Sequence, residues 1–247
     1  MSQTSSPRRT QRVRHELQRR EVEVIRRELL SPHFVSLTFH GETLSSFTSD
    51  GFDDHIKFIF PDSAGNEVRR DYTPRAFNRE ARELTIEFAL HGDGQVCQWA
   101  QGADIGSRAM IGGPRGSMIV PLDFDWHLLI ADATGLPAIN RRLEELPADT
   151  RAIVLLQVHN ADRRDLTSAA DLQLAWFDSP ENLSDAVAAL SLPAGEGFAW
   201  GAGEAALMKR IRCLLVEKGH DKQAMRVAAY WRQGAEGFHE ELTEQDN

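Results

Sequence analysis

Between Val22 and about Leu122 the apolar residues come in short runs, and several alternate with polar ones. Val35, Leu37 and Phe39 fall two apart, as do Leu84, Ile86 and Phe88. That is the period of a strand with one face in a core. The pattern predicts strands over Val22–Leu29, Val35–His40, His55–Phe60, Glu83–His91 and Arg108–Ile111. Turn-forming residues punctuate them at Ser31-Pro32, Pro61–Asn66 and Gly112–Gly116. With no long helical stretch among them, the expectation is a closed antiparallel β-barrel. After Pro121 the period changes. His127–Ala131 and Ala152–Val158 are continuous apolar runs, as in strands buried on both faces. Further strands are predicted at Leu172–Phe177, Gly197–Trp200 and Met225–Tyr230, and helices at Pro137–Leu146, Glu181–Leu190 and Glu204–Lys218, with Gly219 as a C-terminal cap. This alternation predicts an α/β domain with a parallel sheet. The organisation expected is thus a basic arm (1–21), a β-barrel (22–123), an α/β domain (124–234) and a loose acidic tail (235–247).

Composition narrows the chemistry. The chain has 247 residues, 41% hydrophobic and 26% charged, enough for two small domains. A net charge of −9 argues against nonspecific nucleic-acid binding. No apolar run approaches the roughly 18 residues of a membrane helix, and the N-terminus lacks a signal-peptide core, so a cytoplasmic protein, working as a monomer, is expected. The two cysteines, Cys97 and Cys213, form no CxxC. That argues against a disulfide scaffold, a zinc site and an iron–sulfur cluster, and leaves a non-covalent organic molecule as the electron carrier. Eight arginines between Arg8 and Arg27 read as a solvated arm or, alternatively, as a lure for an anionic ligand.

Three segments suit a flavin held on a sheet. In Arg70-Asp71-Tyr72-Thr73-Pro74-Arg75, residues two apart share a strand face. Arg70 and Tyr72 therefore address one ligand, charge to pyrophosphate and ring to isoalloxazine, while Asp71 points away and Thr73, beside Pro74, offers a hydroxyl. The segment from His91 to Ala100 reads as a strand leading through a glycine turn into a short helix, whose Gly94–Cys97 backbone suits phosphate contact. Trp99 there reads as packing and Cys97 as a small helix residue. Gly112–Ser117 is either a flexible hairpin or a turn that sets Gly116 and Ser117 near the cofactor and Arg115 beside its exposed edge. In the second half, Asp132-Ala133-Thr134-Gly135-Leu136-Pro137 sits where a dinucleotide-binding sheet places its phosphate turn, although it is no GxGxxG. Gly201-Ala202-Gly203-Glu204 ends a strand similarly, with Glu204 suited to capping. Arg163 and Arg164 follow the second strand, where the 2′-phosphate of NADPH meets positive charge; a solvated charge pair is the alternative.

These residues resemble the siderophore-interacting proteins, flavin-dependent ferric-siderophore reductases of the wider ferredoxin–NADP reductase superfamily. The resemblance covers nearly the whole chain. It rests on Gly51-Phe52-Asp53-Asp54-His55-Ile56-Lys57, Arg70–Pro74, Gly113–Ser117, Asp132–Ala138 and Ala229-Tyr230-Trp231-Arg232. It implies FAD on Arg70, Tyr72 and Thr73 with His91, Val96 and Ser117 nearby, NADPH as donor, and a basic group of Lys57, Arg115 and Arg226 receiving an anionic, catecholate-type ferric siderophore. The Gly94-Gln95-Val96-Cys97 turn departs from the Gly-Pro-x-Ser usual in the family. NADPH yields two electrons as a hydride and Fe(III) accepts one, a mismatch that a flavin resolves without a metal cluster. Rival readings are an NAD(P)H:flavin or ferredoxin-type reductase on the same fold, and a ferric-chelate carrier that exchanges no electrons.

Overall fold

The computed structural model describes residues 9–62, 64–90, 94–235 and 240–242. The first half contains β1 (Gln11–Arg14), β2 (Arg19–Ser31), β3 (Phe34–His40), β4 (Ile56–Pro61), β5 (Glu67–Tyr72), β6 (Ala76–Asn78), β7 (Glu83–Ala89), α1 (Gln95–Gly102), β8 (Arg108–Gly112) and β9 (Gly116–Ile119). Seven of these strands form one antiparallel sheet in the order β5-β4-β8-β2-β3-β7-β6. Among the described residues no ladder joins β5 to β6, so the expected closed barrel is found as a sheet with two ends. The alternation in the sequence maps onto its core: Leu37, Phe39, Leu84, Ile86 and Phe88 are fully buried. Trp99 of α1 packs edge-on against Phe58 at 4.9 Å, the packing role expected of it. Burying each such side chain contributes about 1.5–3 kcal/mol.

The basic arm is not loose. β1 pairs antiparallel with β9. Arg9 forms ion pairs with Asp123 and Glu196 and lies 4.4 Å over the Phe124 ring. Arg20, only 4% exposed, donates to the carbonyls of Thr43 and Gly113 at 3.1 and 3.2 Å. From Arg9 onward the arm is therefore a strap across both halves, because Arg9, Arg12 and Arg20 have acidic or buried partners that sequence periodicity does not reveal. Nor do Gly112–Gly116 form a hairpin, since β8 pairs with β2 and β4 whereas β9 pairs with β1.

The second half contains β10 (Trp126–Asp132), α2 (Leu136–Glu145), β11 (Arg151–Gln157), β12 (Asp171–Phe177), α3 (Pro180–Ala189), β13 (Gly197–Glu204), α4 (Ala205–Glu217), β14 (Met225–Trp231) and β15 (Glu240–Glu241). Their order is β12-β11-β10-β13-β14-β15. The first five are parallel and β15 is antiparallel to β14, so the sheet is mixed at that edge. Glu240 and Glu241 of the expected loose tail thus belong to the sheet, and Leu242 after them is buried. Leu129 and Ala131 of β10 pack with α2, while Leu128 and Ile130 pack with α3 and α4. Both faces are covered, which is why the run is apolar without alternation. Gly219 ends α4 with a positive φ of 78°, and the N–H of His220 reaches back to the Leu215 carbonyl at 3.1 Å. Among the described residues no helix is long and apolar enough to cross a membrane.

The halves share a core in which Phe34, Phe52 and Met118 of the first meet Leu136 and Trp200 of the second. Polar latches border it. Arg141 of α2 donates to the hydroxyl and carbonyl of Ser49, both at 2.8 Å, and to the Pro74 carbonyl at 3.2 Å. The Trp200 indole donates to Asp53 at 2.8 Å. Glu87 of β7 accepts ion pairs from Arg75 at 3.2 Å and from Arg164.

One buried polar residue interrupts the apolar run of β10. Burial, helped by the nearby Arg142, pushes the His127 imidazole down to about 3. An unfolded imidazole protonates near 6.5, so the unfolded chain binds the extra proton. Stability linked to His127 is complete above that value and is lost as the pH falls toward 3. We expect urea unfolding to show a loss of about 2 kcal/mol from this residue between about pH 7.5 and about pH 5. His127→Leu should remove that part of the pH dependence; an unchanged slope would contradict the assignment.

Candidate functional site

A cavity of about 970 Å³ opens beyond the carboxyl ends of β10, β11, β13 and β14, with Phe34 and Leu90 of the first half forming its opposite wall. The sheet order reverses at β10, which has β11 on one side and β13 on the other. Open α/β sheets bind ligands at such a crevice, because two connections leave it in opposite directions.

Asp132, at the end of β10 and 4% exposed, organises its floor. One carboxylate oxygen accepts the N–H and hydroxyl of Thr134 at 2.8 and 2.6 Å. The other accepts the Glu204 N–H and the Trp231 indole N–H, both at 2.8 Å. Burial pushes the carboxyl pKa up, while these donors pull it back. The loops after β10 and β13 and the end of β14 are thus tied to one charge. The glycines expected to meet phosphate serve this closure. A Cβ on Gly135 would come within 2.6 Å of Ala131, one on Gly203 within 2.6 Å of Asp132, and one on Gly201 would touch Met208 at 3.4 Å. Glu204 caps α4 as expected, accepting from Ala206 and Leu207 at 2.6 and 3.1 Å, so it already engages donors of that first turn. Arg163 pairs with Asp178. Arg164 pairs with Glu87 and lies 5.3 Å over the Phe34 ring, joining the halves.

In the first half, β5 carries Arg70 and Tyr72 on one face. The Tyr72 ring packs against Phe88 and Phe58 with centroids 4.5 and 6.1 Å apart, and burial pushes its hydroxyl pKa up, with Cys97 and Arg70 in electrostatic reach. Arg70 Nη1 donates to the Arg69 carbonyl at 2.9 Å. Asp71 does point away, pairing across the ladder with Lys57 at 2.7 Å. Thr73 and Pro74 are buried. Gly94 is the N-cap of α1 and brings no side chain to cap it, and a Cβ there would meet nothing within 4 Å. By contrast, Ser179 and Glu204 cap α3 and α4 with their own side chains. An open, uncapped helix start beside Arg70 and Tyr72 suits a pyrophosphate attached to a planar ring, so the residues fit FAD. Val96 packs against the sheet core, and Cys97, 6% exposed, lies 3.7 Å from the Ala89 carbonyl. His91 lies outside the described residues.

Ser117 is buried and engaged. Its hydroxyl donates to Asp54 at 2.5 Å, accepts the Asp50 N–H at 3.1 Å and faces His15 at 2.8 Å. Gly116 backs onto β1, where a Cβ would lie 2.4 Å from the Val13 carbonyl.

The structure brings Lys57 and Arg226 to one neighbourhood, each against an acid. Arg226 Nε lies 3.1 Å from Asp53, and Lys57 holds Asp71. Burial pushes the Tyr230 hydroxyl pKa up, as does Asp53, and Arg226, Asp54 and Asp71 also act on it. Arg115 is exposed. Sequence reasoning named the cations and missed their counter-charges. Asp53 and Asp54 stood in a quoted motif without a role, and the one available signal was two adjacent acids beside a strand rich in phenylalanine.

Two family models match. One, described as siderophore-interacting protein, covers residues 124–234, and the other, described as siderophore-interacting FAD-binding domain, covers residues 23–69 and 62–118. The chain is 34% identical over 250 residues to the NADPH-dependent ferric-chelate reductase of Escherichia coli K12, covering 92% of this chain and 98% of that one. A siderophore utilization protein from T. fusca superposes with a TM-score of 0.86 at 32% identity over 93% of this chain and 98% of the other. The siderophore-interacting protein SipS from Aeromonas hydrophila gives 0.79 at 31% identity over 91% and 94%.

Gly94→Asp separates helix capping from cofactor binding. An Asp there caps α1 and stabilises the fold, but sets a negative charge where the pyrophosphate would lie. We expect an equal or higher melting temperature without flavin and FAD affinity at least about tenfold weaker, read by flavin fluorescence quenching. Unchanged affinity would remove α1 from the site.

Proposed function

The chain belongs to the siderophore-interacting protein family, and on that premise we propose that it is an FAD-dependent NADPH ferric-siderophore reductase acting on an anionic, catecholate-type chelate. One observation carries the reading. The open start of α1, on the side of Tyr72, belongs to one half, and the floor of the crevice at the strand ends, closed by Asp132 and Trp231, belongs to the other. A two-electron donor and an electron carrier thus have separate seats on one chain.

The balance is one NADPH and two ferric ions giving NADP⁺, a proton and two ferrous ions. FAD, when bound, supplies the passage from a hydride to single electrons. Arg70 would pair with its pyrophosphate, and Tyr72, wedged against Phe58 and Phe88, would offer an aromatic face. Thr73 and Pro74 shape the buried end of that strand. Asp132 fixes the Trp231 indole at the crevice that would take NADPH; Thr134 and Gly135 form the turn after β10, and Gly201 and Gly203 lie in β13 beside it. No side chain need act as nucleophile or general base, so catalysis is positioning and exclusion of water. Lys57 and Arg115 give an acidic protein a locally positive rim, which attracts an anionic chelate over about a Debye length. Arg226, anchored on Asp53, orients that rim more than it charges it. The reading takes the working unit as a monomer in the cytoplasm, where NADPH is at hand.

Purified protein should be yellow, bleach on anaerobic NADPH and recolour with a ferric catecholate while releasing chelatable Fe(II). Colourless protein would indicate a mere carrier, and faster turnover of free flavin would favour the flavin-reductase rival. Lys57→Ala and Arg115→Ala should each raise KM for the anionic chelate about threefold or more with kcat nearly unchanged, an effect that fades at high salt. Equal KM in both variants would dismiss the rim.

A further inference from the structure

Across the cavity from Trp231, three side chains with no part in the preceding reading converge. His33 lies in the turn between β2 and β3, whereas His159 and Asp162 follow β11. His33 Nδ1 is 2.8 Å from Asp162 Oδ2, His159 Nδ1 is 4.0 Å from the same oxygen, and one ligand atom from each residue lies within 4.8 Å of the others. Two donors bonded to one ion at about 2.1 Å stand about 3 Å apart at right angles and about 4.2 Å apart when opposite. Rotating the two exposed imidazoles would bring all three donors into that range, at the expense of the 3.2 Å hydrogen bond that His159 Nδ1 now accepts from the Ala161 N–H. Asp162, 3% exposed, is already oriented by the Ser31 hydroxyl at 2.7 Å and the His33 N–H at 3.0 Å.

The surroundings point the same way. Asp132, Glu181, Asp185 and Glu204 border the cavity, against Arg210 as its cationic lining residue. A cleft lined by one sign of charge concentrates the opposite ion.

We propose that His33, His159 and Asp162 bind a divalent transition-metal ion, and that its natural occupant is the ferrous product. The second clause rests on the reductase reading. Two imidazoles, one carboxylate and open positions make the set that Fe(II) favours among nitrogen and oxygen ligands. The set also discriminates. A ferric siderophore is already wrapped by its own oxygen donors, which leaves no coordination position for these three side chains. The released ion is cationic and exchanges water readily. Because the ligands come from both halves, occupancy also braces the two halves together.

The test is anaerobic calorimetric titration of the FAD-loaded enzyme with Fe(II) and, separately, with Co(II). Wild type should show one saturable site. His159→Ala should weaken it about tenfold or more, and His33→Ala combined with His159→Ala should abolish it. Co(II) should raise the melting temperature of wild type and not of the double variant. His159→Ala keeps the test interpretable if losing His33 disturbs the fold, since the His159 ring is 69% exposed. Wild type without saturable binding, or a double variant within about twofold of wild-type affinity, would overturn the site. Reduction of a ferric catecholate, followed in the same preparations, separates the two readings. Metal binding without chelate reduction sinks the reductase and leaves the metal site, whereas reduction without metal binding does the reverse.

Discussion

A buried carboxylate that must find hydrogen-bond donors sets the geometry of the whole molecule. Asp132 stands at the end of the central strand, out of water, where an unpaired charge costs several kcal/mol. Its four donors come from three places in the chain, so satisfying it fixes the loop after β10, the bend between β13 and α4, and the last residue of β14 together. Gly203 and Gly135 follow from the same demand, since side chains there would push into Asp132 and the strand beneath it. The crevice is therefore a fixed shape before any nucleotide arrives.

Charge is handled the same way at the joint between the halves. Asp53, Glu87 and Asp162 are each at least nine-tenths buried, and each accepts from the opposite half: Asp53 from Trp200, Glu87 from Arg164, Asp162 from Ser31 and His33. Cations in this region are anchored, so the positive field offered to an anion comes from exposed groups at the rim.

Much of this could be read along the chain, and what could not has a common cause. Leu37, Phe39, Leu84, Ile86 and Phe88 alternate because one sheet face is buried, and 127–131 do not because both faces are. The Gly219 cap, the Glu204 cap and the outward turn of Asp71 follow from local geometry and were equally legible. Partners far apart in sequence were not. Arg9 and Glu196, 187 positions apart, turn an apparently solvated arm into a strap. Val13 stands close behind Gly116, and Glu87 holds Arg164, partners that the local pattern does not reveal. Periodicity says which way a side chain faces; it does not say what stands opposite.

The two-residue strand β15 has a consequence out of proportion to its length. It lies along β14, whose unmatched amides and carbonyls would otherwise invite a neighbouring chain to extend the sheet. Glu240 and Glu241 place two negative charges on that border, and Arg12 of β1 ties Glu241 down at 3.0 Å. Removing β15, or the Arg12 side chain that ties Glu241, would leave that margin of the sheet less guarded.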